Sequence, residues 1–384
     1  MARAIPSDSG SVVDAVVIGA GPAGLAAAAM LRRHGVETLV LERSSAVGSS
    51  WRTRYDRLLL NSTRRVSHLP GLRFPPGPRW PARDEVVEYL ERYAKHHAIA
   101  PRFETFVDSV ERAGREWVLD TTDGPLRARA VIVATGPDRE PVVPPWPGVE
   151  TFTGEVVHSS VYRNAEPFRG KEVVVVGSGE SAGDVVMDLI EGGAAPVWMS
   201  IRTAPYIFPA SVVGIVQDTI GFAAGRVAPR LADIGAGALR RFAVGDLRAF
   251  GLPAPAEGFF AAYRREPVSA VIDRTGFVRA ARARRFEVVP AIERFEGADV
   301  VFADGRRLQP NAVVAATGYR CGLEPLVGHL GLLGVRGVPL AHAPRSAAPG
   351  LYLFGFTFAL PNLRWLRVDS RRLGRAVAGF LKSG

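Results

Sequence analysis

Two glycine turns of one pattern, about 158 residues apart (Gly19 to Gly177), constrain the fold of this chain more than anything else in it. The first reads Gly19-Ala20-Gly21-Pro22-Ala23-Gly24. It follows an apolar run at 14–19 (DAVVIG), opens a small-residue helix to about His34, and precedes a second run at 36–42 (VETLVLE). Strand, turn, helix and strand make a βαβ unit. The second turn, Gly177-Ser178-Gly179-Glu180-Ser181-Ala182, follows EVVVVG at 172–177 and leads through a helix to VWMSIR at 197–202. A smaller echo supports the repeat. Ala134-Thr135-Gly136 and Ala316-Thr317-Gly318 each end an apolar run, AVIVATG and AVVAATG. The pattern predicts an α/β fold of two Rossmann-like dinucleotide-binding domains, the second inserted in the first.

The residue types at the two turns say what they would hold. Gly19 allows the tight turn, Gly21 lets the backbone approach a pyrophosphate, and Gly24 lets helix pack on strand. Pro22 and Ala23 open a helix whose free N–H groups and positive dipole end face the phosphates. Glu42 ends the next strand, 18 residues after Gly24, where it would accept hydrogen bonds from a ribose diol. At the second turn Ala182 replaces the third glycine, and the next strand ends in Ser200, Ile201, Arg202 and Thr203. An acid there would repel a 2′-phosphate, whereas Arg202 would pair with it. NADPH is therefore expected over NADH. Two dinucleotide sites on one chain imply an electron path, FAD in one and NADPH feeding it from the other. The expected division is an FAD-binding domain over 1–163 and an NADPH-binding domain over 164–311. A helical insertion is expected at about 205–265, and an FAD-binding return segment over 312–384.

Composition removes other classes. The single cysteine, Cys321, excludes a disulfide framework, a Cys-x-x-Cys redox pair and a cysteine-based zinc site, and points to a reducing, cytoplasmic compartment. His68, His329 and His342 have no metal-ligand spacing, so no metal is expected. The net charge of +10 comes with only three lysines (Lys95, Lys171, Lys382), an arginine bias typical of a GC-rich genome. Its densest run, Arg279 to Arg285, has no interleaved aromatics, so no nucleic-acid partner is expected. The opening MARAIPSDSGSVV lacks the pattern of a signal peptide. Residues 14–31 are broken by Gly-Pro, and residues 210–224 contain Asp218 and are too short to span a bilayer. No membrane span is expected, and weak peripheral contact stays open. A homodimer also stays open. Asp84 is the expected N-cap of a helix over 83–97, and 371–381 reads as a closing helix.

A third motif speaks to what becomes of the reduced flavin. Residues 152–162 carry Phe152, Gly154, His158 and Tyr162 in the spacing F-x-G-x-x-x-H-x-x-x-Y. This resembles the identifying sequence of class B flavin-dependent monooxygenases. The order GAGPAG, Glu42-Arg43, ATG, this motif, GSGxSA and ATGY is similar to that family over nearly the whole chain. YDRLLLN (55–61), VVPAIERF (288–295) and ATGYR (316–320) resemble the YUCCA-type and related bacterial branches of the flavin-containing monooxygenases. The resemblance implies that NADPH reduces FAD, NADP⁺ stays bound as a lid, and dioxygen adds at the flavin C4a to give a hydroperoxide. That species would oxygenate a small organic substrate at nitrogen, sulfur or a carbonyl. Two alternatives stay open. One is a Baeyer–Villiger or oxidative-decarboxylating enzyme acting on a ketone or 2-oxo acid, the other an NADPH reductase passing electrons to a quinone or protein.

The resemblance also implies roles for residues. Gly19, Gly21, Gly24 and Glu42 match the FAD fingerprint. Arg43, Ser50, Trp51 and Arg52 match a segment lining the pyrophosphate and ribityl chain. Val107 matches the position whose backbone meets the adenine, and Thr135 and Gly136 form the first ATG turn. Asn61 matches an Asn beside the flavin in animal-type and bacterial members; plant YUCCA-type members tend to carry His there, which tilts the branch away from them. Gly177, Ser178, Gly179, Glu180, Ser181, Arg202 and Thr203 fall on the NADPH side, and Thr317 and Gly318 on the second ATG turn. His158 matches a residue that couples nicotinamide movement to the flavin, with direct proton transfer the lesser reading. Tyr162 stands where Baeyer–Villiger enzymes carry Trp, which weighs against oxygen insertion into rings or chains. The apolar stretch 203–260 is a candidate wall for the substrate.

Overall fold

A computed structural model describes residues 12–219, 229–265, 268–356 and 362–383. The chain forms two compact units, Met1–Thr53 with Ser62–Glu140 and Tyr319–Gly384, and Arg54–Asn61 with Pro141–Gly318.

The first unit is organised by burial on both faces of one sheet. Val12–Ile18 lies between Thr38–Leu41 and Leu126–Val133, parallel to both, and Leu351–Leu353 adds a further parallel strand beside Leu126–Val133. Glu116–Thr121 and Val107–Ala113 extend the sheet antiparallel. Parallel strands covered on both sides read as unbroken apolar runs rather than alternating ones, as DAVVI and AVIV do. Helix Pro22–Arg33 buries every residue from Ala23 to Leu31. Its alanines let Asn362–Ser383 approach closely: a Cβ on Gly374 would lie 3.0 Å from that of Met30. The helix expected at 83–97 spans Arg83–His96. Its N-cap is Ala82, not Asp84; the Glu85 carboxylate accepts the Ala82 N–H at 2.9 Å, leaving Asp84 in the first turn. The closing helix starts nine residues earlier than expected, at Asn362.

The second unit has a five-stranded parallel sheet in the order Glu287–Val289, Val197–Ser200, Val173–Val176, Ala312–Ala315, Glu155–His158. Val173, Val175, Ala312 and Val314 pack with helix Glu180–Gly192. Val174, Val313 and Ala315 pack with Trp146, Phe295 and Phe302, two of which come from the antiparallel strands Ile292–Glu296 and Asp299–Phe302.

These pairings correct the expected boundaries at 163/164 and 311/312, which fall instead at 140/141 and 318/319. The strand of the F-x-G-x-x-x-H motif, Glu155–His158, hydrogen-bonds to Ala312–Ala315, so both belong to the second sheet. Each ATG therefore ends a strand of its own sheet. The expected helical insertion opens instead on a strand, Tyr206–Pro209, paired in parallel with Ala270–Asp273. Helices Ala210–Thr219, Pro229–Ala243 and Phe259–Arg265 follow it. Its residues 220–228 lie outside the described ones, as do residues 1–11, on which the signal-peptide reading rested. Val213, Val244, Leu247 and Phe259 of this stretch are buried, while Leu231, Ile234 and Phe242 are exposed. No described helix is long and apolar enough to cross a membrane.

Candidate active site

In the first unit the glycine turn is built against the first ATG. Gly19 has φ +108°, and a Cβ there would fall 2.7 Å from the Ala134 carbonyl oxygen. A Cβ on Gly24 would fall 1.8 Å from the Gly19 oxygen, while one on Gly21 would meet nothing within 4 Å. Gly21 is the N-cap of helix Pro22–Arg33 and has no side-chain cap, with Pro22 at the start of the helix. The first N–H groups of a helix have no partner within it, so this end is an open cradle for an anion.

Glu42 is buried at the end of Thr38–Leu41, and its carboxylate ties the turn together. One oxygen accepts the Ala20 N–H at 2.7 Å, the other the Ser44 N–H at 3.0 Å, with the Ser44 and Ser49 hydroxyls beside it. A carboxylate offers about four lone pairs, so a ribose diol would replace the rotatable hydroxyls. The Gly48 N–H bonds the Ala20 oxygen and holds helix Ser49–Arg52, carrying Ser50 and Trp51, beside the turn. Arg52 donates to the Val47 oxygen and pairs with Glu91. Arg43 is exposed and stands near Arg139, whose own affinity for its proton is lowered by burial and by that second cation. Sequence reasoning missed Arg139, which follows the first ATG by three residues. Val107 opens the edge strand of the sheet, where the register shifts. The Thr135 hydroxyl is buried with no hydrogen-bond partner among the described residues. An open glycine, an uncapped helix end and an orphaned buried hydroxyl together fit a dinucleotide phosphate.

The second unit repeats the turn but not the open glycine: a Cβ on Gly179 would lie 3.0 Å from that of Ser269, whose hydroxyl accepts the Glu180 N–H at 3.3 Å. Gly177 has φ +141°, and a Cβ there would fall 2.5 Å from the Ala316 oxygen, the alanine of the second ATG. Gly179 caps helix Glu180–Gly192 without a side-chain bond. The ends of two parallel strands bring the Ser178 and Thr203 hydroxyls to 3.3 Å, and Arg202 is exposed beside them with no acid partner among the described residues. This rim fits a phosphorylated ribose.

Glu180 does not join that rim, which corrects its expected place on the nucleotide. Its carboxylate turns into the core, accepting the Ile272 N–H at 2.8 Å and pairing with the buried Arg274. Burial pushes the Glu180 carboxyl up, while the Arg274 guanidinium pulls it back. One turn on, Asp184 lies 3.9 Å from Arg274 and accepts the Tyr55 hydroxyl at 3.0 Å; burial raises its pKa too. Further along, Asp188 accepts the Tyr162 hydroxyl at 2.6 Å, and Arg57 bridges Asp188 (3.4 Å) and Glu191 (3.1 Å). Residues 54–61 are thereby bound to one face of this helix. Asn61, at the end of that segment, accepts a bond from Arg274 through Oδ1 at 3.3 Å. Sequence reasoning missed Arg274 and Asp184. The acids at 180, 184 and 188, one helical turn apart in an apolar helix, were the available signal.

His158 ends its strand and is 6% exposed. Its Nδ1 accepts the Ser160 N–H at 3.0 Å and its Nε2 lies 3.1 Å from the Gly318 oxygen. A ring nitrogen facing an N–H accepts and one facing a carbonyl donates, which assigns the neutral Nε2–H tautomer. Burial lowers the pKa and favours that form. With both nitrogens engaged, His158 holds the second ATG turn and is not poised to take a proton. Thr317 donates to the Val142 oxygen and is likewise part of that turn. Cys321 is buried, its thiol pushed up to about 11 by burial, and is no nucleophile. Among the described residues no group of His, Cys, Asp or Glu is gathered for a metal.

A family profile described as pyridine nucleotide-disulphide oxidoreductase matches residues 16–210. With one cysteine, the chain shares the nucleotide-binding frame and not a paired-cysteine chemistry. The indole-3-pyruvate monooxygenase YUCCA1 of Oryza sativa subsp. japonica is 36% identical over 356 residues, covering 90% of this chain and 87% of that protein. The probable indole-3-pyruvate monooxygenase YUCCA3 of Arabidopsis thaliana is 33% identical, over 89% and 82%. Among solved structures, a flavin-containing monooxygenase from Stenotrophomonas maltophilia superposes with a TM-score of 0.74 at 26% identity, over 96% of this chain and 99% of that one.

Proposed function

The chain belongs to the class B flavin-dependent monooxygenases and uses FAD and NADPH to oxygenate a small organic substrate, and from that premise we propose that it decarboxylates an aromatic 2-oxo acid oxidatively. The observation that carries this reading is the 36% identity, over nine-tenths of the chain, with an enzyme named for indole-3-pyruvate. The reaction balances as 2-oxo acid, dioxygen, NADPH and a proton giving the acid one carbon shorter, carbon dioxide, water and NADP⁺. Tyr162, buried and bonded to Asp188, weighs through the family pattern against oxygen insertion into a ring or chain ketone.

Each residue has a task in this reading. The open Gly21 and the uncapped end of helix Pro22–Arg33 receive the FAD pyrophosphate, Glu42 its ribose, and the Thr135 hydroxyl finds its partner there. Arg202, Ser178 and Thr203 grip the 2′-phosphate of NADPH. Bound flavin, reduced by the nicotinamide, supplies the activated oxygen. Asn61 presents its amide to that chemistry, and His158 keeps the second ATG turn in place. A second reading, oxygenation at nitrogen or sulfur, is favoured by one residue: Asn61 stands where plant YUCCA-type members tend to carry His. The test is NADPH oxidation under ¹⁸O₂ with panels of aryl-2-oxo acids, amines and thioethers, followed by mass spectrometry. One labelled oxygen in an arylacetate is expected. Label only in N-oxides or sulfoxides overturns the proposal in favour of the second reading.

A further inference from the structure

We propose that Glu180 and Arg274 are positioning residues that fix which end of the Asn61 amide serves the oxygen-transfer step. An arginine side chain carries donors only. Facing Arg274, Asn61 must therefore present its Oδ1, as it does at 3.3 Å. Flipping the amide would set N–H against N–H. The bond thus makes Nδ2 the donor end directed elsewhere, a choice that an Asn in water does not make.

Arg274 can impose this choice because it is itself immobile. It follows strand Ala270–Asp273, its side chain is 3% exposed, and its other guanidinium nitrogen is held by Glu180. Glu180 is in turn fixed by the Ile272 N–H at 2.8 Å and by its place at the start of helix Glu180–Gly192, where the helix dipole favours a carboxylate. The backbone carrying Asn61 is anchored independently on the same helix, by Tyr55 on Asp184 and by Arg57 on Asp188 and Glu191. Segment placement and amide orientation are therefore separate contributions. A buried ion pair is a weak device for stability, since desolvation offsets its attraction. An orientation role gives the pair a use that an apolar replacement could not fill. The same helix begins at the second glycine turn, so one element carries both the nucleotide cradle and the residue that steadies Asn61.

This inference rests on the reading that Asn61 serves oxygen transfer, and its test separates the two. Arg274→Met leaves Glu180 buried without its cation, whereas Glu180→Gln with Arg274→Met removes both charges. The FAD-loaded variants are compared with wild type by thermal melting, by the side-chain amide resonances of Asn61 (identified by their loss in Asn61→Ala), and by product formed per NADPH consumed. The double variant is expected to melt above the single one, because Glu180 no longer leaves a lone buried carboxylate and Asp184 keeps its hydrogen bond from Tyr55. Its Asn61 resonances should nonetheless move to those of a solvated amide. Product per NADPH should fall by roughly tenfold or more, the balance of the electrons leaving as hydrogen peroxide, while flavin reduction by NADPH stays within about twofold. Asn61 resonances unmoved in the double variant, or product yield recovering with its stability, overturn the proposal. The resonances are read without substrate, so they decide the positioning role even if no labelled product appears, the outcome that would instead sink the proposed function.

Discussion

Gly21 and Gly24 sit three residues apart in one turn, yet a methyl group would meet different fates on them. At Gly24 it strikes the Gly19 oxygen; at Gly21 it meets nothing within 4 Å. Gly24→Ala is expected to destabilise the protein by about 1–3 kcal/mol or more through overpacking. Gly21→Ala should leave the melting of FAD-free protein within about 0.5 kcal/mol of wild type while weakening FAD binding by roughly tenfold or more, or about 1.4 kcal/mol. Melting curves and a flavin fluorescence titration check both. A Gly21→Ala protein that melts early without FAD would mean that the position is structural. At this scale the turn glycines were legible because a tight turn and a close approach of helix to strand follow from backbone geometry and spacing. Glu180 was not. Its direction is set by Arg274, 94 residues away, which no local pattern announces.

Among elements, the strand–turn–helix units were legible because apolar runs and turn glycines are local signals. The strand Tyr206–Pro209 was missed because its partner, Ala270–Asp273, lies some sixty residues along the chain, beyond the described helices of that stretch, and its apolar residues read equally well as helix. The paired ends of Val173–Val176 and Val197–Ser200 place Ser178, Arg202 and Thr203 on one rim. Charge-assisted hydrogen bonds contribute about 1.5–3 kcal/mol, and each 1.4 kcal/mol is tenfold. Arg202→Ala should therefore raise KM for NADPH by roughly 10- to 100-fold and leave KM for NADH nearly unchanged. Steady-state kinetics with both coenzymes measure this, and equal effects on the two would remove the 2′-phosphate role.

For the molecule as a whole, burial holds His68, His97, His158 and His342 below the ordinary value of 6.5. Between their folded values and 6.5 the unfolded chain binds more protons than the folded one, so stability rises with pH across that window and is lost as pH falls through it. Denaturant unfolding followed from about pH 5 to about pH 7 should show this rise. His158→Gln should flatten it, and an unaltered slope would mean that His158 is not held neutral. Two nucleotide units, one threaded through the other, were legible in outline from the repeated turns. Their boundaries were not, because Glu155–His158 takes its partner from residues 312–315, far along the chain.

The six-stranded sheet that starts at Val12 needs Leu351–Leu353 beside Leu126–Val133, and its first helix is covered by Asn362–Ser383. A ribosome therefore begins the first unit before the second and completes it after the second. All of Arg54–Gly318 has been synthesised before that strand emerges. The second unit has its whole sequence in hand while the alanine-rich helix of its companion still waits on the nascent chain for a cover.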